Sequence, residues 1–226
     1  MKHQKFLFIF CIAGFIALTN SSCQKNSGGN SVTNTGNGIA ASQERTPGNF
    51  SAINLTGVGQ VNITMGPALQ LTVSDDSNLL ALVQTTVTND TLSVGYKQNT
   101  TGGHLVVTIV MPALVATSIN GSGTITETGN FAMSGAFTTN ISGAGTINLN
   151  GGSADSLTAN ISGTGLIKAQ AFPVKDAFVT ISGTGEVDVA VSDLLNAVLS
   201  GAGTVFYTGN PTVTKKIDGV GQVIKN

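Results

Sequence analysis

Apolar and polar residues alternate along four stretches of the chain, and each stretch leads into two glycines separated by one residue. Successive side chains of a β-strand point to opposite faces, so this alternation predicts strands with one inward and one solvent-facing side. The positions between the inward ones are mostly Ser, Thr and Asn. The predicted inward positions are Phe137, Thr139 and Ile141; Leu157, Ala159 and Ile161; Ala177, Val179 and Ile181; and Leu195, Ala197 and Leu199.

A further inward position recurs four residues after the first glycine of each unit. It is odd-numbered, like the inward positions before the glycines, so the apolar side continues through the break in the strand pattern. The glycines therefore predict a corner or a bulge between two strands. The recurring residues are Ile125, Ile147, Ile167, Val187, Val205 and Val223.

The whole unit is repeated seven times, as LTGVGQV, INGSGTI, ISGAGTI, ISGTGLI, ISGTGEV, LSGAGTV and IDGVGQV. From Gly121 onward the first glycines follow one another at spacings of 22, 20, 20, 18 and 18 residues. A nearly constant period of this length is typical of stacked repeats, in which no unit buries its apolar face alone. The predicted fold class is therefore all-β: a β-solenoid of about six to seven Gly-x-Gly coils of roughly 18–22 residues each.

The motif glycines are interpreted as structural. A residue without a Cβ takes positive φ angles and lets a neighbouring backbone approach closely, and a repeated corner needs such a residue in every coil. A phosphate-binding loop is the alternative, but it requires Gly-x-Gly-x-x-Gly followed by a helix, and neither feature is present. The structural turn glycines are Gly57, Gly59, Gly121, Gly123, Gly143, Gly145, Gly163, Gly165, Gly183, Gly185, Gly201, Gly203, Gly219 and Gly221.

Between Gly59 and Gly121 the chain lacks the motif and predicts an irregular, β-rich N-terminal part that covers one end of the stack. Alternating runs predict strands over residues 61–65, 69–73, 91–96 and 105–111. Asp75-Asp76-Ser77-Asn78 before LLALV predicts a short capped helix. In the last coil, Lys215, Lys216 and Lys225 are interpreted as edge charges that oppose strand addition.

The N-terminus has the pattern of an export signal. Lys2 and Lys5 precede an apolar run from Phe6 to Leu18, and small polar residues lead to Cys23. Residues 1–22 are predicted to be a lipoprotein signal peptide and Cys23 the lipidation site, because this thiol has no disulfide partner once the signal is removed. A membrane span and an unlipidated secreted form are the alternatives, the second because Asn20 stands where such signals usually carry Leu.

The following residues divide the exported chain into two parts. Residues 23–48 are rich in Gly, Ser, Asn and Thr and predict a flexible tether, and residues 49–226 are predicted to form the β-solenoid head domain. The expected location is the bacterial cell envelope, on the outer membrane through the lipid anchor, with either face possible. The sequence leaves the oligomeric state and the handedness of the solenoid open.

The repeated I-S-G-x-G units, preceded by LQLTVSDDSNLLALVQTTVTNDTLSV at residues 69–94, resemble the head GIN domain of auto-transporter adhesins, which is common in exported bacterial lipoproteins. The resemblance covers about residues 49–226. It implies an all-β, solenoid-like fold and an adhesive role. It supplies no catalytic residues.

Composition and charge exclude several classes of function. The formal net charge of −1, without a cluster of Lys and Arg, makes nucleic acid an unexpected partner. The expected mature chain has one histidine, His104, and one arginine, Arg45 in the tether, so a Ser-His-Asp triad would depend on His104 in an apparent turn. His104 is therefore interpreted as a solvent-exposed histidine in a loop.

Two carboxylate pairs are candidates for glycoside hydrolysis, and the second of them could also bind a cation. Asp75 and Asp76 are better explained as a helix cap, and Glu186 and Asp188 as part of a solvated strand face with Lys168 nearby. The sequence therefore predicts no enzyme activity, no cofactor and no metal. A polysaccharide-active enzyme stays as the least favoured alternative.

Outward-facing polar residues are the remaining candidate for function. Stacked coils would align them at spacings of about 4.8 Å, which suits an extended polymer such as an envelope polysaccharide, or another surface protein. The alternatives are that these residues only keep the surface soluble and that the protein is purely structural. The set, named here the polar ladder, is Asn120, Asn140, Ser142, Asn160, Ser162, Thr180, Ser182 and Ser200.

Overall fold

The computed structural model describes residues 33–226. The predicted signal peptide, Cys23 and the first part of the predicted tether lie outside the described residues. Residues 33–226 contain one 3-10 helix, Leu80–Leu82, no α-helix, and nineteen strands: β1 Asn34–Thr35, β2 Ala40–Arg45, β3 Ala52–Leu55, β4 Val58–Met65, β5 Gln70–Asp76, β6 Val83–Thr88, β7 Thr91–Tyr96, β8 Thr100–Thr101, β9 Val106–Met111, β10 Ala116–Ile119, β11 Ser122–Thr128, β12 Ala136–Ile141, β13 Ala144–Leu149, β14 Ala154–Ile161, β15 Thr164–Ile181, β16 Thr184–Leu199, β17 Thr204–Thr208, β18 Thr212–Ile217 and β19 Gln222–Lys225.

The strands form a β-solenoid of about six turns, as predicted. Its first face consists of the strands that enter the Gly-x-Gly corners: β3, β10, β12, β14, the second halves of β15 and β16, and β18. Its second face consists of the strands that leave the corners: β4, β11, β13, the first halves of β15 and β16, β17 and β19. All neighbours within these two sets are parallel, because each coil repeats the direction of the one before it.

The register of the parallel pairs reproduces the sequence spacing. Gly123 pairs with Gly145, Gly145 with Gly165, and Gly165 with Gly185, at offsets of 22, 20 and 20 residues. The core lies between the two faces, and the predicted inward positions from Ile125 to Val205 are buried, including Thr139, while Val223 in the last coil is partly buried. The predicted alternation is therefore confirmed.

The sequence predicted two reasons for the corner glycines: positive φ angles and the close approach of a neighbouring backbone. The second reason is confirmed and the first is wrong. Gly59 has a φ of 159°, close to extended backbone, and no other motif glycine has a positive φ. A Cβ on Gly163 would instead overlap the carbonyl oxygen of Gly143 in the preceding coil, and one on Gly165 would lie 2.8 Å from Cγ2 of Ile141. At the first glycine of each motif from Gly121 to Gly219, the stacked backbones leave no room for a side chain.

Antiparallel strands close the N-terminal end of the stack. β7 and β9 continue the two faces beyond β3 and β4, and β6 and β5 then pair with them in the antiparallel direction. The predicted strands in this part are confirmed, and the predicted short helix is present as a 3-10 helix, but its predicted side-chain cap is wrong. LLALV forms the short 3-10 helix and the start of β6, and Leu79, which precedes the helix, provides no side-chain cap.

The predicted tether is too long at its C-terminal end. β2 lies within residues 23–48 and pairs antiparallel with β5, and β1 pairs with β8. Strand pairing uses main-chain groups and needs few apolar side chains, so the polar composition of this segment did not reveal it. Arg45 also fixes β2, because its guanidinium donates to the carbonyl oxygens of Val83 and Leu80, both at 2.8 Å.

No helix among residues 33–226 is long and apolar enough to cross a membrane.

Candidate functional site

The polar ladder lies on the outer side of the first face, where strand pairing aligns its members in two columns. Asn140, Asn160 and Thr180 pair directly across neighbouring strands and form the first column. The second column is formed by the residues that directly precede the first glycine of each motif. Its members are Asn120, Ser142, Ser162, Ser182 and Ser200. All five of its members are exposed, as is Thr180, while Asn140 and Asn160 are half-buried.

Hydrogen bonds connect the amides of the first column along the stack. Asn160 Nδ2 donates to Asn140 Oδ1 at 2.9 Å, and Asn140 Nδ2 donates to Ser118 Oγ at 3.4 Å. The donors therefore point toward the N-terminal end of the solenoid and the acceptors toward the C-terminal end. Each amide NH2 has a second hydrogen and each amide oxygen a second lone pair, so the column retains donors and acceptors for a ligand.

Hydrogen bonds of the second column also run toward the N-terminal end, where they cross to the first column at Asn54. Asn120 Nδ2 donates to Asn54 Oδ1 at 3.0 Å, and Ser142 Oγ donates to Asn120 Oδ1 at 2.6 Å. Asn54 and Ser118 lie at the same outward position in the two preceding coils and extend the first column toward the N-terminal end. In the other direction the first column changes character at Val198, which pairs with Thr180.

A shallow groove runs between the two columns. Six of the eight residues that line it belong to the polar ladder, and the other two are inward-pointing isoleucines whose backbone forms the floor. The lining residues are Asn140, Ile141, Ser142, Asn160, Ile161, Ser162, Thr180 and Ser182. Hydroxyl and amide groups of this kind bind other hydroxyls but supply neither a general acid nor a general base at neutral pH.

Asp75 and Asp76 do not cap a helix. They are the last two residues of β5 and are each only 3% exposed. Asp75 accepts hydrogen bonds from the Tyr96 hydroxyl at 2.5 Å and the His104 backbone N–H at 2.8 Å. Asp76 accepts one from the Gly38 N–H at 2.9 Å, so this pair fixes the N-terminal segment to the stack.

Burial, followed by the neighbouring Asp75 carboxylate, raises the pKa of Tyr96.

His104 is a solvent-exposed loop residue, as predicted. Its Nδ1 lies 3.4 Å from Asp76 Oδ1, and its side chain is 79% exposed. Among residues 33–226 the imidazole has no hydrogen bond to a serine, threonine or cysteine hydroxyl or thiol, so the third member of a triad is not in place. The residues that a triad would need are therefore not brought together in this part of the chain.

Glu186 and Asp188 lie on the outer side of the second face, away from the polar ladder. Asp188 pairs across the strands with Lys168, and this ammonium partly offsets the effects of burial and of Glu186, which raise the pKa of Asp188. No cluster of three or more His, Cys, Asp or Glu residues that could hold a metal is found in the described part of the chain.

Glu127 is a buried carboxyl group that sequence analysis missed. It is 1% exposed and occupies an inward position of β11, between Ile63 and Leu149 of the neighbouring coils. Neither carboxylate oxygen has a hydrogen bond of normal geometry within residues 33–226. Burial raises the pKa of Glu127 to about 7, and the backbone N–H groups of Gly151 and Asn150 lower it only in part.

A second groove follows the side of the solenoid where the chain returns from the second face to the first. A register shift between β15 and β16 lies beside it, where four residues separate Ala169 from Val174 whereas one residue separates their partners Val189 and Val191. Its floor is apolar, and its charged groups are the exposed ion pair between Lys175 Nζ and Asp155 Oδ1 at 2.7 Å. Its other polar side chains do not form columns of the kind seen in the polar ladder; they are Ser153, Ser192, Thr208 and Asn210.

Comparisons with known proteins agree with this architecture. A family model described as "Putative auto-transporter adhesin, head GIN domain" matches residues 49–211, more than half of the chain. No curated protein matches the chain. The matched stretch ends just before β18, so the last coil lies outside it.

Two solved structures share the fold. A "putative adhesin" from Bacteroides fragilis is 20% identical with a TM-score of 0.68, and the match covers 85% of this chain and 99% of that one. A "Putative lipid binding protein" from Parabacteroides distasonis is 20% identical with a TM-score of 0.50, over 85% of this chain and 98% of that one. At this identity the similarity shows the architecture alone.

Proposed function

This chain belongs to the family of putative auto-transporter adhesins with a head GIN domain, and from that premise we propose that it is a non-catalytic, adhesin-like protein of the cell envelope that binds an extended polysaccharide. The observation that carries the proposal is the polar ladder, in which exposed hydroxyls and half-buried amides from successive coils line one shallow groove. Another surface protein with an extended polar segment is the alternative partner.

The spacing of the ladder favours a polymer over a small molecule. Neighbouring parallel strands lie about 4.8 Å apart, so each coil offers one set of polar groups at a regular interval. A single hydroxyl contributes little to binding, because it exchanges a hydrogen bond with water for one with the ligand. A ligand that engages several coils at once gains affinity through effective concentration.

A non-catalytic role is supported by the placement of the ionisable groups. Catalytic sites concentrate acids, bases and nucleophiles in one cleft. Here His104 lies in an exposed loop, Glu186 on the second face and Glu127 in the core. None of these three residues lines the groove of the polar ladder.

We further propose that Cys23 carries a lipid anchor that holds the protein on the outer membrane. The proposal rests on the sequence, where Lys2 and Lys5 precede an apolar run and Cys23 is the only cysteine after it. Two or more acyl chains are needed for stable anchoring, and a lipoprotein amino terminus supplies them.

Cys23→Ser is expected to move the protein from the membrane fraction to the soluble fraction, because the variant cannot accept the diacylglycerol group. Cell fractionation followed by immunoblotting measures the distribution. The wild-type protein washed with high salt is the control for electrostatic attachment. Unchanged membrane partition of the variant would contradict the lipid anchor.

The binding function is tested by the retention of the full chain, purified in a non-glycosidic detergent, on an array of bacterial-envelope and host polysaccharides. We expect at least one polysaccharide to be retained, and simultaneous replacement of Asn140, Asn160 and Thr180 by alanine to abolish that retention. Ser162→Ala alone should weaken it only slightly, because the contacts are distributed over several coils. If the wild-type chain retains no polysaccharide, the proposal is wrong and a purely structural role is the better account.

A further inference from the structure

One aromatic side chain interrupts the small residues on the first face. Phe178 points outward from β15 and is 40% exposed, and it is the only aromatic among the exposed large hydrophobic side chains of residues 33–226. Its column is otherwise made of short side chains in every coil. Those residues are Ala52, Ala116, Thr138, Thr158, Asn196 and Thr214.

Phe178 lies directly beside the polar ladder. It precedes Thr180 by two residues on the same face, a distance of about 6.6–6.8 Å along a strand. Its cross-strand neighbours are Thr158 and Asn196, which are both shorter than phenylalanine. The ring therefore stands above the surrounding surface, at the edge of the groove that Asn160 and Thr180 line.

The core does not account for the exposed area of this ring. The core lies on the opposite side of β15, where Ala177 and Val179 are buried next to Phe178 in the sequence. The exposed part of a side chain contributes no burial to folding, since the hydrophobic effect scales with the area removed from water. A ligand that covers the ring would recover that area.

We propose that Phe178 is a stacking platform that makes the polar ladder specific for flat, β-linked pyranose polymers with equatorial hydroxyls. This inference rests on the proposed polysaccharide-binding function. The face of an aromatic ring is electron-rich and attracts C–H groups. A pyranose with equatorial hydroxyls presents C–H groups on its face and hydroxyls at its edge, so Phe178 binds the face while the ladder binds the edge.

The linkage matters as much as the sugar. Successive rings of an extended β-1,4-linked chain keep their faces along one line, and each ring advances by a length close to the spacing of the coils. An α-1,4-linked chain of the same sugar curves, so it cannot keep one ring on Phe178 and the next rings on Asn160 and Asn140. The two linkages therefore form a matched pair of probes.

The experiment measures binding of cellohexaose and maltohexaose to the full chain by isothermal titration calorimetry in a non-glycosidic detergent. We expect cellohexaose to bind more tightly than maltohexaose. Phe178→Leu should weaken cellohexaose binding roughly three- to tenfold, whereas Phe178→Tyr should retain it because the ring remains. Thr158→Ala, in the same column, is the control and should have little effect.

The outcomes separate this inference from the proposed function. Ladder-dependent binding that is equal for both linkages, or that Phe178→Leu leaves unchanged, overturns the role of Phe178 and keeps the polysaccharide function. Loss of binding in Phe178→Leu together with a lowered unfolding temperature also overturns the role of Phe178. The ring would then stabilise the folded protein and would not bind the ligand directly. If no polysaccharide on the array is retained, both proposals are wrong.

Discussion

Gly163→Ala is expected to lower the free energy of unfolding by about 3 kcal/mol or more, because overpacking at a rigid contact is costly. A methyl group at this position would overlap the carbonyl oxygen of Gly143 and crowd that of Ser142, which are both backbone atoms of the preceding coil. Backbone atoms cannot move without separating the stacked coils. The φ angle of Gly163 is not positive, so the effect comes from the contact and not from backbone strain.

Gly57→Ala is the matched control, since it changes the equivalent glycine of the first coil. A Cβ there would lie 3.6 Å from the nearest atom, the Gly95 Cα, which is an ordinary van der Waals distance. Thermal and urea unfolding of both variants, followed by far-ultraviolet circular dichroism, should show a large loss for Gly163→Ala and a small one for Gly57→Ala. Equal losses would contradict the explanation from close approach of the coils.

Replacing Glu127 by leucine is expected to remove a pH-dependent loss of stability. The folded protein holds the Glu127 proton more tightly than the unfolded chain, since burial raises the pKa from 4.5 to about 7. This contribution to stability is fully present below pH 4.5 and is lost as the pH rises through about 7. The loss is roughly 3 kcal/mol, at about 1.4 kcal/mol for each pKa unit.

Urea unfolding of wild type and Glu127→Leu between pH 4.5 and pH 8 measures this difference. The stability of the variant relative to wild type should rise with pH over that window and then level off. Glu186→Gln removes a carboxylate from the outer surface of the second face and should preserve the wild-type pH dependence of the Glu127 contribution. A Glu127→Leu variant that follows the wild-type curve at every pH would show that this carboxyl group is not responsible.

The repeated part of the fold was predictable because each coil has the same short-range pattern. Strand alternation placed Ile141 and Ile161 inward, and the spacing of the glycines gave the register in which Gly145 pairs with Gly165. A solenoid converts sequence distance directly into position along the stack. The alignment of Asn140 with Asn160 followed from the same spacing.

The features that sequence analysis missed depend on contacts that do not repeat. β2 pairs with β5 through backbone groups, and Asp76 accepts a hydrogen bond from Gly38, 38 residues earlier. A local pattern of two aspartates before an apolar run is typical of a helix cap, but tertiary pairing extended β5 through both. Glu127 lies at an inward position by parity, yet its charge gave no reason to place it in the core.

The candidate site was predictable in its alignment and not in its detail. Regular spacing indicated where Asn160 and Ser162 would lie, whereas the direction of the amide hydrogen bonds depends on side-chain conformation. The extension of the ladder to Asn54 depends on the pairing of β3 with β10 across a long insertion. The prominence of Phe178 became apparent only when its shorter neighbours were placed beside it.

On the proposed function, this face binds a polymer through many weak contacts spread over the coils. This claim is tested most directly by titrating the full chain with size-fractionated fragments of a retained polysaccharide and measuring affinity against fragment length. Affinity should rise steeply with each added sugar until the fragment spans the ladder from Asn120 to Ser200, and should then level off. Equal affinity for a disaccharide and the polymer, or conversion of the polymer into shorter products during the titration, would contradict the claim.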